Sequence, residues 1–139
     1  MKMKRMLLNI WQLPQNLLGA LLFWWYRRNS ESHTGTFYGL RVLYSDRMHG
    51  GLSLGKYVIL PLSAGMSPEC EWPKSVEDLH CHEWGHSWQS RLLGWLYLPF
   101  VGVQSIAHAF LHDRHCGDKE YHHFWTERWA DRLGGVERD

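Results

Sequence analysis

The sequence predicts an α+β fold, a helix-dominated single domain with a small antiparallel β-hairpin ahead of its central helix. The chain has 139 residues, of which 45% are hydrophobic, and this suits one domain with a modest core. Residues 36–61 contain two β-rich runs separated by a pair of glycines. Helical patterns precede and follow this stretch, so the elements can be justified in chain order.

Residues 1–30 predict an amphipathic helix that we treat as a separate N-terminal segment, with a compact domain over residues 31–139. Asn9, Gln12 and Asn16 interrupt the apolar run and gather on one side of a helical wheel, so a membrane-spanning helix is not expected. Tryptophans and arginines near residue 25 suit the lipid interface. We therefore expect a protein associated with a membrane surface.

The β-rich runs extend from Thr36 to Tyr44 and from Leu52 to Leu60, and the second ends at Pro61. They predict the antiparallel hairpin. One strand could pair with an extended peptide by β-augmentation, or the hairpin could simply cover a helix core; the sequence leaves both open.

The most informative motif is H-E-x-x-H, spelled by His82-Glu83-Trp84-Gly85-His86. Shuffling this composition would give the motif in about 0.04 of chains, so its context matters. On a helix, His82 and His86 share one face and can place two imidazole nitrogens on one zinc ion. Glu83 lies about 100° around the helix from His82, near enough to reach a water at that ion.

The flanking sequence predicts that the motif lies in the middle of a helix. Ser75 to Asp78 resembles a capping box, and Gly94 is a natural stop. Gly85 costs about 1 kcal/mol of helix propensity relative to Ala. We therefore expect a packing reason for it, the close approach of another backbone or helix.

A second helix carries the other candidate groups. The longer metzincin pattern is excluded, because Leu92 stands where its third histidine should be. Downstream, Glu127 is followed four residues later by Asp131, so both lie on one face of a helix that ends at Gly134-Gly135.

With these two helices the chain resembles the gluzincin zinc metallopeptidases, both the minigluzincins and the CAAX-prenyl-protease-like branch, and a group of small bacterial proteins. The resemblance implies a zincin-like fold and a Zn²⁺ cofactor bound by His82, His86 and Glu127. It also implies Glu83 as the catalytic general base and Asp131 as an acceptor that orients a ligand imidazole. The expected function is hydrolysis of peptide bonds by a zinc-bound water that Glu83 activates.

Other residues remain open as alternatives. The sequence offers rival zinc ligands, namely His80, His108, His112, His115, His122 and His123. It also offers a separate metal site over residues 112–116, which include Cys116. A donor for the oxyanion is expected among Tyr121, His122 and His123.

The net charge and the cysteine content limit which partners and which cell compartment are expected. A net charge of +1 gives no basic footprint for nucleic acid, so the expected partners are a peptide or protein substrate and a membrane surface. Three cysteines without framework spacing favour a reducing compartment, hence the cytoplasmic face of a membrane or the cytoplasm.

The alternative function is a non-catalytic protein, either stapled by zinc or acting as a membrane-surface interaction module.

Overall fold

The structure is a computed structural model that describes residues 1–48, 50–66, 71–103 and 125–137. The α-helices in these ranges are α1 (Lys2–Trp11), α2 (Leu13–Asn29), α3 (Lys74–Leu93) and α4 (Trp125–Gly134). The strands are β1 (Ser32–Phe37), β2 (Leu40–Ser45), β3 (Leu52–Leu54) and β4 (Tyr57–Pro61). Short helical turns cover Leu62–Gly65, Gly94–Leu96 and Leu98–Gly102. The predicted α+β class is confirmed.

The N-terminal segment forms two helices where the sequence predicted one. The chain breaks at Gln12 because Pro14 has no N–H to donate to the carbonyl of Ile10. The indole N–H of Trp95 donates to that carbonyl instead, at 2.8 Å. None of the described helices combines the length and the apolar character needed to cross a membrane.

Two polar side chains of α2 face inward. Gln15 is fully buried, and its Nε2 donates to Ser90 Oγ at 2.9 Å and to the Gly94 carbonyl at 2.8 Å. Asn16 Oδ1 accepts the backbone N–H of Lys56 at 3.0 Å. Hydrogen bonds therefore connect α2 both to the end of α3 and to the turn between β3 and β4.

The strands form one four-stranded mixed sheet in the order β1-β2-β4-β3. The predicted single antiparallel hairpin is wrong: β1–β2 and β3–β4 are separate hairpins, and β2 pairs with β4 in parallel. Each hairpin has a two-residue turn, Tyr38-Gly39 and Gly55-Lys56, with positive φ at its glycine. Gly55 thus splits the run that the sequence predicted as one strand.

Both faces of the sheet are buried at β2, β3 and β4, whereas the edge strand β1 is largely exposed. On one face, Leu43 and Ile59 pack with apolar side chains of α2, including Leu18 and Leu22. On the other face, Val58 and its neighbours contact apolar side chains of α3. The sheet therefore lies between α2 and α3, and it supports α3 along the turns that lead to the H-E-x-x-H motif.

Helix α3 begins earlier than the sequence suggested. It starts at Lys74 with Pro73 as its N-cap, and no side chain caps it, so the predicted capping box over Ser75–Asp78 does not form. Ser75 is already inside the helix, where its hydroxyl is not placed to accept the free N–H groups. The predicted stop at Gly94, with φ of 56°, is confirmed.

Helices α3 and α4 touch through their backbones at two glycines. A Cβ added to Gly85 would lie 1.9 Å from the Ala130 carbonyl oxygen, and one added to Gly134 would lie 2.0 Å from that of Cys81. The expected packing reason for Gly85 is confirmed.

The predicted end of α4 is also confirmed. Gly135 has φ of 73°, and the N–H of Val136 donates to the carbonyl of Asp131 at 2.8 Å. This is the Schellman arrangement, in which a left-handed glycine lets the chain turn back and bond the last carbonyls.

Largely apolar residues continue the chain after α3, and the structure describes them as far as Val103. Tyr97 and Val101 are fully buried, whereas Trp95 and Phe100 are exposed. Tyr97 donates its hydroxyl to the carbonyl of Ser53 in β3 at 2.7 Å, so this part of the stretch has one inward and one outward side.

Candidate metal centre

The two motif histidines lie one turn apart on α3, as their spacing predicted. Both are buried, and their rings meet edge to face with centroids 4.7 Å apart. The Nε2 atoms of His82 and His86 are 3.1 Å apart, so both point at the same small volume.

Helix α4 brings Glu127 to that volume. Glu127 Oε2 lies 2.7 Å from His82 Nε2 and 3.1 Å from His86 Nε2. Among the described residues these three form a group that could hold a metal ion, with ligand atoms all within 4.8 Å of one another. Two imidazoles and one carboxylate are a usual protein donor set for catalytic zinc. The side chains therefore fit the cofactor that the sequence predicted.

Outer hydrogen bonds fix both imidazoles. Asp131 Oδ1 lies 2.6 Å from His82 Nδ1, and because a carboxylate only accepts, Nδ1 carries the proton. Gln89 Oε1 lies 2.7 Å from His86 Nδ1, while Gln89 Nε2 donates to the carbonyl of Thr126 at 2.7 Å. With the Nδ1 atom of each ring held in this way, Nε2 is the nitrogen that faces the shared volume, and it becomes a metal ligand when it carries no proton.

Gln89 was missed as a site residue by sequence reasoning. The signal for it was its position three residues after His86, on the neighbouring ridge of the same helix. An amide at that position is inconspicuous in sequence. Its role becomes visible only once α4 supplies the carbonyl that fixes which way the amide points.

Glu83 lies beside the three donors without belonging to their group. It is buried, and its Oε2 has no hydrogen-bond partner among the described residues. Gly51, just before β3, packs directly on the other oxygen, because a Cβ there would lie 2.0 Å from Glu83 Oε1. A buried polar atom without a partner costs about 1–3 kcal/mol, so this oxygen favours a site in which a polar ligand reaches it.

Several titratable side chains lie close together in this pocket, and the pKa of each depends on its neighbours. Burial acts to lower the pKa of His82, but hydrogen bonds to Asp131 and Glu127 outweigh it and raise the pKa to about 10. Burial acts to raise the pKa of Glu127, but the facing imidazoles hold it well below its usual range. Burial raises the pKa of Glu83. Three buried carboxyl groups facing two imidazoles fit a divalent cation, since buried anions require a paired positive charge.

The rival histidines divide into two sets. His80 lies outside the donor group: its Nδ1 is 2.8 Å from the Val76 carbonyl, its Nε2 is 2.8 Å from Tyr44 Oη, and its ring stacks on Trp72. The remaining candidates lie outside the described residues, namely His108, His112, His115, Cys116, Tyr121, His122 and His123.

Comparisons with protein-family models, with curated proteins and with solved structures found no match for this chain. Fold and site together define the class of protein: an α+β domain with a buried group of two histidines and one glutamate that could hold a metal ion. The resemblance to gluzincins rests on these residues and stays a prediction.

Proposed function

We propose that this protein is a zinc-dependent metallopeptidase that hydrolyses a peptide bond, with Glu83 as general base. The observation that carries the proposal is the convergence of His82, His86 and Glu127, with Glu83 beside them but outside their group and its Oε2 without a hydrogen-bond partner among the described residues. A structural zinc site has no use for such a buried carboxyl group. A hydrolase needs one to move a proton.

The chemistry divides between the ion and the chain. Bound zinc supplies a Lewis acid that polarises a carbonyl and lowers the pKa of a coordinated water to about 7. Glu83 accepts the proton of the attacking water and returns it to the leaving amine, and its raised pKa suits that exchange. Asp131 and Gln89 hold the two imidazoles in place, so the donor atoms need no reorganisation during the reaction.

A zinc-stapled, non-catalytic protein is the alternative. Structural zinc is normally closed by four protein ligands, whereas the group found among the described residues has three members. A crystal structure of the zinc-loaded protein distinguishes them: a non-protein oxygen in the zinc shell favours the enzyme, and a fourth protein ligand favours the staple.

The first experiment measures zinc by elemental analysis in the wild type and in Glu127→Ala, with Glu137→Ala as control. Glu137 is exposed and lies beyond α4. We expect one zinc per chain in the wild type and control, and a large loss in Glu127→Ala. Zinc content indifferent to Glu127 would contradict the site.

The second experiment tests catalysis with the zinc-loaded protein and a mixed peptide library, read by mass spectrometry. Glu83→Gln should retain zinc and lose hydrolysis, because an amide cannot accept the water proton. Glu77→Gln is the matched control, an exposed glutamate at the start of the same helix. Cleavage that survives in zinc-loaded Glu83→Gln would rule out the proposed base.

The location belongs to the same proposal. We place the enzyme on a membrane surface, on the cytoplasmic face, acting on a peptide or protein substrate. The support is the apolar and basic character of the first 30 residues together with cysteine spacing that favours a reducing compartment.

A further inference from the structure

We infer that α1 docks on the surface of a bilayer that contains anionic lipid, with its apolar stripe at the boundary between headgroups and acyl chains. The inference specifies the surface and the lipid chemistry behind the proposed location, and it does not depend on the hydrolase activity. It rests on the exposure of α1, on the distribution of charge, and on the way in which α1 is fixed to the rest of the fold.

The apolar stripe of α1 is exposed. The stripe occupies a sector of about 100° on the helix and consists of Met3, Met6, Leu7 and Ile10. Each of these side chains is more than half exposed. No residue of α1 is buried. In a globular protein such a stripe packs on the core, so its exposure over a whole helix indicates a surface that covers it.

Three of the remaining positions of α1 carry positive charge. Lys2, Lys4 and Arg5 flank the stripe, and Arg27 and Arg28 follow at the end of α2. No Asp or Glu occurs anywhere in the first 30 residues. The partner is therefore both apolar and anionic, the combination found at the surface of a bilayer with acidic headgroups.

Two tryptophans hold α1 in position. Trp11 Nε1 donates to the Arg91 carbonyl at 2.9 Å, and Trp95 Nε1 donates to the Ile10 carbonyl at 2.8 Å. The same two tryptophans line an open, apolar cleft of about 630 Å³. It is lined by Leu7, Ile10, Trp11, Leu93, Trp95 and Leu96. The stripe of α1 thus continues onto the turn after α3, giving an apolar surface wider than one helix.

Helix α2 presents a second apolar row to the outside. The row consists of three exposed leucines spaced by four residues, Leu13, Leu17 and Leu21. The polar side chains of Gln15 and Asn16 are buried instead. Helix α2 is therefore apolar on its outer side as well as on the side where Leu18 and Leu22 pack on the sheet, and an apolar outer side is not expected in water. An apolar medium on the outer side accounts for it.

The tryptophan and arginine chemistry also suits a lipid interface. Trp24 is exposed, with the Arg28 guanidinium 4.6 Å from its ring centre, and Arg91 lies 5.0 Å from the Trp88 ring in the same way. Such pairs combine an apolar ring with a cation that reaches headgroup phosphates.

A second copy of this chain is a poorer occupant than lipid. An isologous dimer through α1 buries the same patch of both copies, so it would bring Lys2, Lys4 and Arg5 of each copy to one shared interface. No carboxylate in the first 30 residues could compensate that charge. Anionic lipid offers attraction where a second copy offers repulsion.

The test is vesicle flotation of the full-length protein, without any measurement of catalysis. Vesicles of pure phosphatidylcholine are compared with vesicles of equimolar phosphatidylcholine and phosphatidylserine. The charge variant carries Lys2→Gln, Lys4→Gln and Arg5→Gln. Its matched control carries Arg41→Gln, Lys74→Gln and Arg128→Gln, which removes equal charge from exposed residues elsewhere. Circular dichroism checks that each variant folds.

Each basic residue near an anionic surface contributes about fivefold to affinity, so the charge variant should bind on the order of a hundredfold more weakly. The control should bind like the wild type. The double variant Leu7→Gln and Ile10→Gln should lose binding, whereas Met66→Gln, an exposed methionine outside α1, should retain it.

Two results would overturn the inference. One is equal binding of the charge variant and its control to the phosphatidylserine vesicles, or no binding of the wild type at all. The other is a wild-type dimer in size-exclusion chromatography that becomes a monomer in the Leu7→Gln and Ile10→Gln variant, which would assign the surface to a second copy. Neither result bears on whether Glu83 and zinc hydrolyse a peptide, so the hydrolase activity and the membrane location fail separately.

Discussion

Replacing Gly85 by Ala should both destabilise the protein and loosen the metal site. The added Cβ would lie 1.9 Å from the Ala130 carbonyl oxygen, whereas ordinary contact begins at 3.4 Å. The two helices must therefore separate by the difference, about 1.5 Å, since a backbone carbonyl cannot rotate away.

Replacing Gly85 by Ala changes the free energy of unfolding in two opposite ways, through overpacking and through helix propensity. Overpacking costs about 1–3 kcal/mol, and the backbone collision places this change at the upper end. Alanine recovers about 1 kcal/mol of helix propensity over glycine. The net loss in the free energy of unfolding should be about 2 kcal/mol. Urea denaturation of the metal-free protein measures it.

The same displacement reaches the donor atoms. Helix α4 carries Glu127, whose Oε2 lies 2.7 Å from His82 Nε2, and a shift of the helix moves that oxygen away from the imidazoles. Zinc affinity, measured by competition with a chromophoric chelator, should fall at least about tenfold.

Gly50→Ala is the matched control, because a Cβ there has open space around it, and it should change neither quantity. Gly134→Ala meets the Cys81 carbonyl from the other side and should behave like Gly85→Ala. A Gly85→Ala protein that is about 1 kcal/mol more stable than the wild type, with unchanged zinc affinity, would refute the reasoning.

Two further predictions concern the groups around the donors. Gln89→Leu removes the acceptor of His86 Nδ1 and should weaken zinc binding about 10- to 100-fold, whereas Gln89→Glu keeps an acceptor and should bind more tightly than the Leu variant; equal affinities would show that the contact is unimportant. The metal-free protein should lose stability as the pH rises from about 6.5 to about 10, because the folded-state pKa of His82 is raised over that interval and its contribution is complete only below 6.5. Urea denaturation in chelator across this range measures the effect, and the same series with His82→Gln should be flatter; a wild-type series that is equally flat would contradict the pKa assignment.

The local parts of the fold and site could be predicted from sequence. The spacing of His82 and His86 and that of Glu127 and Asp131 each define one face of one helix, and the structure brings the two faces together. The close packing at Gly85 could be predicted, because a glycine inside a helix lowers helix stability enough to require a packing reason.

The non-local parts could not be predicted. The parallel pairing of β2 with β4 depends on which of several apolar runs meet, and neither run contains that information by itself. Gln89 was missed because its partner carbonyl at Thr126 lies on another helix. The packing of Gly51 against Glu83 depends likewise on how the sheet lies on α3.

The distance along the chain between the donors has a consequence for biosynthesis. His82 and Glu127 are separated by 45 residues, whereas the two hairpins of the sheet close over two-residue turns. Local hairpins and helices form quickly, and contacts between distant segments form late. When a ribosome has released α3 but not α4, the group of three donors lacks its carboxylate and offers its two imidazoles, a weaker chelate than the complete group. Full affinity of the proposed metal site therefore arises only when α4 docks.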